Sequence, residues 1–289
     1  MLDGALALAL PVRLGQQLTV TEQPHRSNHH WVSLDHEGRP WFEGRFAPTG
    51  AYISGNDEET GSRLEALFRS IEQQHPDFWL GRLPLRFETR LGFPRQWGLG
   101  SSSTLVAALA EWAKADAFRL LEDTFGGSGY DIACAYARRP ILFQRREGRG
   151  HYVECPYAPS FADNICFVYL GKKQDSREGI ARYREAVNDS PRLVEGISRL
   201  TMDFLGARTV KEGIAVLEAH EQLVSETLHL PRVQERYFYN FPGAVKSLGA
   251  WGGDFVMALS DKPAEATRQY FRVKGFETVF TWKELSMQE

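Results

Sequence analysis

The chain has 289 residues, enough for two domains of roughly 150 residues each or one large one. Hydrophobic residues make up 43% and aromatic residues 12%, enough for a full core, and the charged fraction of 25% is that of an ordinary globular protein. A net charge of −3 and a sequence pI near 6.3 exclude a nucleic-acid or anionic-membrane binder that works by bulk electrostatics.

Residues 5–11 and 17–20 read as strands. Residues 30–34 and 41–46 flank an Asp35-His36-Glu37-Gly38 turn and predict a hairpin. Residues 49–61 are polar and contain glycine, so they read as a surface loop. His25, His29 and His30 lie close together, but no carboxylate has matching spacing, and they too read as solvated loop. Leu64, Leu67, Phe68 and Ile71 recur at helical spacing, and Pro76 closes that helix. Leu85, Phe87 and Thr89 alternate with charged residues, which predicts a strand.

Leu105, Ala108, Leu109 and Trp112 make one apolar helix face. A Gly126-Gly127-Ser128-Gly129 break follows, then a small-residue helix over 130–137. Residues 141–144, 152–154 and 165–170 read as strands. Leu193, Ile197, Leu200 and Phe204 share a helix face, with Gly206 as the stop. Thr209 and Glu212 have the spacing of a capping box ahead of the next helix, which carries Ile214, Leu217, Val224 and Leu228. Residues 255–259 and 277–280 read as strands around a helix that starts near Ala264.

Cys134, Cys155 and Cys166 lack zinc-type spacing, and an odd, sparse set suggests reduced thiols in a cytoplasmic protein. Cys134, among small residues, reads as packed rather than reactive. No run approaches the roughly 18 apolar residues that span a membrane. Residues 2–12 are apolar but short, without a basic leader or cleavage site, and read as a buried strand rather than a signal peptide.

Three glycine-rich elements carry the chemistry: Gly98-Leu99-Gly100-Ser101-Ser102-Ser103, Gly126 to Asp131, and Gly249-Ala250-Trp251-Gly252-Gly253-Asp254. In the first, two glycines allow a tight turn and a close backbone approach. The serines then open a helix whose first amides lack intrahelical partners, a ready site for phosphate. It is not a Walker A loop, because Ser101 stands where that motif needs lysine. Each element alone reads first as a tight turn.

Together, and in this order, they resemble the GHMP kinases, named for galactokinase, homoserine, mevalonate and phosphomevalonate kinases. Pro94-x-x-x-Gly98-Leu99-Gly100-Ser101-Ser102-Ser103 resembles that family's phosphate-wrapping motif. Gly127-Ser128-Gly129-Tyr130-Asp131-Ile132-Ala133 is similar to the segment carrying the catalytic aspartate of mevalonate and phosphomevalonate kinases. Lys246 to Asp254 is similar to the third motif, and His220-Glu221-Gln222-Leu223 to a helix of mevalonate-type members. The Gly-Tyr-Asp-Ile-Ala string points to a distinct subgroup. The resemblance implies an α+β, two-domain fold, with an ATP-binding domain over 1–158 and a ferredoxin-like C-terminal half over 159–289.

It also implies magnesium-dependent transfer of the ATP γ-phosphate to an alcohol or phosphate acceptor of the mevalonate or phosphomevalonate kind. The alternative is a homologue that binds a nucleotide or metabolite without turnover. Gly98, Leu99, Gly100, Ser101, Ser102 and Ser103 would hold the ATP phosphates. The Ser102 hydroxyl would help hold magnesium, with Glu122, or alternatively Glu111, as the carboxylate. Asp131 would orient the acceptor hydroxyl; its other reading is a helix cap. Gly249, Ala250, Trp251, Gly252 and Gly253 would line the substrate and phosphate cleft. Trp251 replaces a family glycine and would narrow the cleft, stack on a ligand or fill core space. Ser176 would contact substrate or serve as an N-cap. The family's Pro-Gly-Lys strand and Gly-Glu-His/Tyr turn are not found. Leu2-Asp3-Gly4-Ala5 resembles the tail of that motif, so the natural protein is expected to start upstream. Lys246, Lys172 and Lys173 are the cations that could stand in for its lysine. The expected partner is a small-molecule substrate, with no nucleic acid and no membrane, in a monomer or homodimer.

Overall fold

Alternating buried and more exposed side chains along residues 85–91 mark a strand with one face on the core, and it pairs on both sides. The computed structural model describes residues 1–172, 176–187, 190–249, 251 and 254–287; the side chains of residues 176 and 177 lie outside the description. In chain order the first elements are β1 (Ala7–Ala9), β2 (Gln16–Glu22), β3 (His29–Leu34), β4 (Pro40–Phe46), β5 (Tyr52–Gly55), α1 (Glu58–Gln74) and β6 (Leu85–Leu91). There follow α2 (Ser101–Ala113), α3 (Ala117–Thr124), α4 (Tyr130–Tyr136), β7 (Ile141–Arg146), β8 (Arg149–Glu154) and β9 (Ile165–Tyr169). The last are α5 (Ser176–Ala186), α6 (Ser190–Gly206), α7 (Val210–Leu228), α8 (Val233–Tyr237), β10 (Gly243–Ser247), β11 (Phe255–Ser260), α9 (Ala264–Val273), β12 (Val279–Thr281) and α10 (Trp282–Leu285).

Contacts divide the chain into two units, Leu14–Arg95 with Leu99–Tyr136, and Met1–Arg13 with Gln96–Gly98 and Ala137–Glu289. The first holds a five-stranded sheet in the order β2-β6-β3-β4-β5, with β6 antiparallel to β2 and parallel to β3. Its core joins Trp31, Phe42, Phe46 and Phe87 of the sheet to Leu67, Phe68 and Ile71 of α1 and to Val106 and Leu109 of α2. Trp31 stacks on Phe87 at 5.1 Å between ring centroids.

The second unit has a three-stranded sheet, β1-β7-β8, and a four-stranded antiparallel sheet, β10-β11-β9-β12. The latter runs β-α-β-β-α-β along the chain with the third strand beside the first, which is the ferredoxin-like arrangement expected from the resemblance. All six residues of β11 are buried between β10 and β9, and Val168, Val245, Val256, Phe238 and Phe271 share its core.

Three local expectations are corrected. Residues 49–61 are not a surface loop. They hold β5 and the start of α1, and Gly61 is buried in the first turn of that helix. A β-carbon there would overlap the Tyr52 ring, so this glycine makes room for an aromatic and does not end an element. His29 is not solvated: it is 1% exposed on β3, 4.8 Å from the Trp79 ring. Its Nδ1 accepts from the Leu85 N–H at 2.8 Å, which leaves the proton on Nε2 facing the Pro48 carbonyl at 3.3 Å. The capping box before α7 is half formed: Thr209 Oγ1 accepts from the Glu212 N–H, but the Glu212 carboxylate accepts from the Arg208 N–H instead.

Candidate active site

Gly100 is the N-cap of α2, with φ 74° and ψ 33°, and as a glycine it has no side chain of its own to cap the helix. Left-handed backbone of this kind costs an L-residue about 1–2 kcal/mol, so glycine is the residue that fits. Gly98 takes the same conformation, with φ 66°. The amides of Ser101, Ser102 and Ser103 open a 13-residue helix at its positive end. Ser103 is buried, Ser101 and Leu99 are half-buried, and Ser102 is exposed. Thr104 fixes the turn, its hydroxyl donating to Gln16 Oε1 at 2.8 Å.

Asp131 stands in the first turn of α4, after Gly129 at φ 86°. Ile132 and Ala133 are fully buried beside it, and the Tyr136 hydroxyl donates to the Ala107 carbonyl of α2 at 3.1 Å. Small residues on α2, Ala107 and Ala110, give α4 room to approach. The result brings Asp131 to the glycine turn: its Cγ lies 3.6 Å from the point a β-carbon on Gly100 would occupy. Burial, with the Asp131 charge adding to it, pushes the Cys134 thiol up, which keeps it protonated and unreactive.

Gln96–Gly98, ahead of the turn, pack within the second unit. The Trp97 ring lies 5.5 Å from Phe280, 6.1 Å from Tyr169 and 6.2 Å from Phe255. The Tyr169 hydroxyl donates to the Gln96 carbonyl at 2.9 Å. A β-carbon on Gly98 would overlap the Asp254 carboxyl. Asp254 closes the third glycine element, so the first and third elements meet at Gly98.

Within that third element Gly249 is exposed, with φ 64°. Trp251 is 8% exposed and has φ 51°, and its indole N–H donates inward to Glu221 Oε1 at 3.0 Å. Of the three readings open for Trp251, the structure places the ring in the core. Ala250, Gly252, Gly253, Lys173 and the side chain of Ser176 lie outside the described residues. Lys246 is mostly buried, its Nζ donating to the Ser247 carbonyl at 2.9 Å, while Lys172 is exposed.

Glu122 on α3 and Glu111 on α2 are both exposed. Among the described residues no group of three or more His, Cys, Asp or Glu side chains is arranged to hold a metal ion. A magnesium ion needs no such cage, because it keeps water and takes phosphate oxygens with one or two protein ligands. No helix of the described residues is long and apolar enough to cross a membrane. One contributor escapes a reading of the sequence: Trp97 is a lone aromatic in a loop, and only contacts distant in the chain give it work.

No protein-family model matches the sequence, and no curated protein matches it. Solved structures do. Streptococcus pneumoniae phosphomevalonate kinase in complex with phosphomevalonate and AMPPNP matches with a TM-score of 0.68 and 15% identity, covering 96% of this chain and 93% of that one. Methanococcus jannaschii mevalonate kinase matches at 0.66 and 12% identity, over 99% and 92% of the two chains. A D-glycero-D-manno-heptose 1-phosphate kinase from Bacteroides thetaiotaomicron matches at 0.63 and 14% identity, over 98% and 87%. These matches run along nearly the whole chain, and its fold is that of the GHMP kinases.

Proposed function

We propose that this chain is an ATP-dependent small-molecule kinase of the GHMP type, with Asp131 as its catalytic carboxylate. The observation that carries this reading is the Asp131 carboxyl set 3.6 Å from the would-be β-carbon of Gly100, the left-handed N-cap of α2. A helix start led by glycines suits an anion, whereas a carboxylate beside it suits a hydroxyl that must lose its proton. In this reading the amides following Gly98 and Gly100 hold the nucleotide's phosphates, and Asp131 orients the acceptor hydroxyl. Phosphoryl transfer has a loose transition state, so placement and fixed dipoles do most of the work and an ordinary carboxylate suffices.

Magnesium, when bound, would neutralise charge on the transferring phosphate. The Ser102 hydroxyl and the Glu122 carboxylate, both exposed, are the proposed protein ligands. For the acceptor we take the mevalonate and phosphomevalonate class first, supported by the sequence resemblance and by two of the structural neighbours. A sugar phosphate follows, on the third neighbour. The cytoplasm is the proposed location.

The test is ADP formation from Mg-ATP with mevalonate, phosphomevalonate, a heptose phosphate and simple sugars. Acceptor-dependent ADP should appear with one class, and Asp131→Asn should lower kcat by about a hundredfold or more. ADP release that ignores both the acceptor and Asp131 counts against the assignment. A second reading, a homologue that binds without turnover, draws on Trp251, which puts a large ring in a loop otherwise made of small residues. Mg-ATP binding with no transfer to any acceptor is its signature.

A further inference from the structure

Helix α7 faces β10 with one fully desolvated acid. Glu221 is 2% exposed, and its Oε1 accepts two hydrogen bonds, from the Ser247 N–H at 3.1 Å and from the Trp251 indole at 3.0 Å. Lys246 Nζ is 3.9 Å from the same oxygen. Glu221 Oε2 is buried with no hydrogen-bond partner, and so is Nδ1 of the neighbouring His220. A buried carboxyl with one oxygen unsatisfied is expensive, and a fold keeps one where it performs a task.

The two donors identify the task. Ser247 ends β10, and the Leu248 N–H donates to the Phe255 carbonyl at 3.0 Å, closing the base of the loop that joins β10 to β11. Trp251 lies inside that loop, in left-handed backbone that a large L-residue adopts only when its surroundings impose it. The hydrogen-bond partner here is one oxygen on α7. It takes the last amide of the strand and the side chain of the loop's one aromatic residue. Gly249 has φ 64° and open space at a would-be β-carbon.

We propose that Glu221 is a positioning residue for the proposed phosphoryl transfer: it clamps Trp251 to the end of β10. The inference rests on the kinase reading, in which the third glycine loop lines the substrate and phosphate cleft. The clamp works through hydrogen-bond acceptance at Oε1. Burial, opposed by the Lys246 charge, raises the Glu221 carboxyl above its ordinary range, and protonation at the unpartnered Oε2 would leave Oε1 free to accept.

Glu221→Ala, Glu221→Gln, Trp251→Phe and the Glu221→Ala/Trp251→Phe pair test this, with amide hydrogen exchange over residues 244–256 and steady-state kinetics as readouts. The alanine variant should speed exchange in this segment about tenfold or more, while distant helices of the same unit keep their protection. It should lower kcat about tenfold and move the KM for Mg-ATP by less than about threefold. Glutamine keeps an acceptor and should stay within about threefold of wild type on both counts. Trp251→Phe removes one donor, and adding it to Glu221→Ala should cost little more, because the shared bond is already gone. Unchanged exchange in a folded alanine variant, a glutamine variant as impaired as alanine, or full additivity in the pair would overturn the clamp. If wild type transfers no phosphate to any acceptor, the kinase reading fails; the exchange result alone then decides whether Glu221 holds the loop.

Discussion

Gly98 and Gly100 share a backbone conformation but not surroundings, so the same substitution should act differently at each. A β-carbon on Gly98 overlaps the Asp254 carboxyl, while one on Gly100 stands at an ordinary 3.6 Å from Asp131. Gly100→Ala should therefore cost only left-handed strain, about 1–2 kcal/mol. Gly98→Ala must also displace Asp254, and should raise the KM for Mg-ATP at least about tenfold over Gly100→Ala. Equal kinetics for the two variants would show that Asp254 yields freely. Histidines give a second residue-scale prediction. His29 and His220 are both held below their ordinary pKa, chiefly by burial, and His220, with the Lys246 charge adding to it, is pushed down to about 2. A depressed folded-state pKa means that the unfolded chain binds the extra proton. The stability is complete above about pH 6.5 and is lost as pH falls, by about 1.4 kcal/mol per unit from His220 alone. His220→Leu should flatten denaturant-derived stability between pH 6.5 and 4.5; a slope parallel to wild type would refute this. His29 shows why such residues are hard to read from sequence. Its neighbours His25 and Asn28 are polar, and the groups that bury it, Trp79 and Leu85, lie far along the chain.

At the scale of elements, the glycine turn was visible because its chemistry is local: two glycines, three serines and an apolar helix face sit in one window. Its anchorage was not. Arg95–Trp97 forms a short 3-10 turn whose tryptophan packs among Tyr169, Phe255 and Phe280, on three different strands or strand ends. No window of sequence contains that cluster. Local reading failed in the same way at Gly61, where a glycine inside α1 answers to Tyr52 on another element. The anchorage has a consequence. Trp97→Ala removes three aromatic contacts of about 0.5–1.5 kcal/mol each from the turn's entry and leaves the Gln96 carbonyl bonded to Tyr169 alone. The KM for Mg-ATP should rise about tenfold, while Trp97→Phe, which keeps the edge contacts, should stay near wild type. If Trp97→Ala leaves nucleotide affinity unchanged, the cluster serves the sheet and not the turn.

For the whole molecule, the resemblance carried by the three glycine elements implied an α+β chain with a ferredoxin-like end, and the β10-β11-β9-β12 sheet has that order. The path of the chain was less legible. Residues 96–98 leave the unit that contains their neighbours on both sides and pack with residues 137–289, an excursion set by tertiary contacts that composition and periodicity do not record. Since the turn at Gly98 and Gly100 is preformed, nucleotide binding should stabilise the folded chain without first having to build the site. A ligand at a hundred times its Kd adds about 2.7 kcal/mol to the folded state. For a chain of this size that is a rise of several degrees in Tm, at about 2–4 °C per kcal/mol. Mg-AMPPNP should give this rise in wild type and equally in Asp131→Asn, which leaves the proposed phosphate-holding amides untouched, but little in Gly98→Ala. That pattern would separate holding the nucleotide, a property of the turn, from using it, a property of Asp131. A shift in wild type with no phosphate transfer to any acceptor would instead favour the homologue that binds without turnover, and no shift with any nucleotide would remove ATP from the proposal.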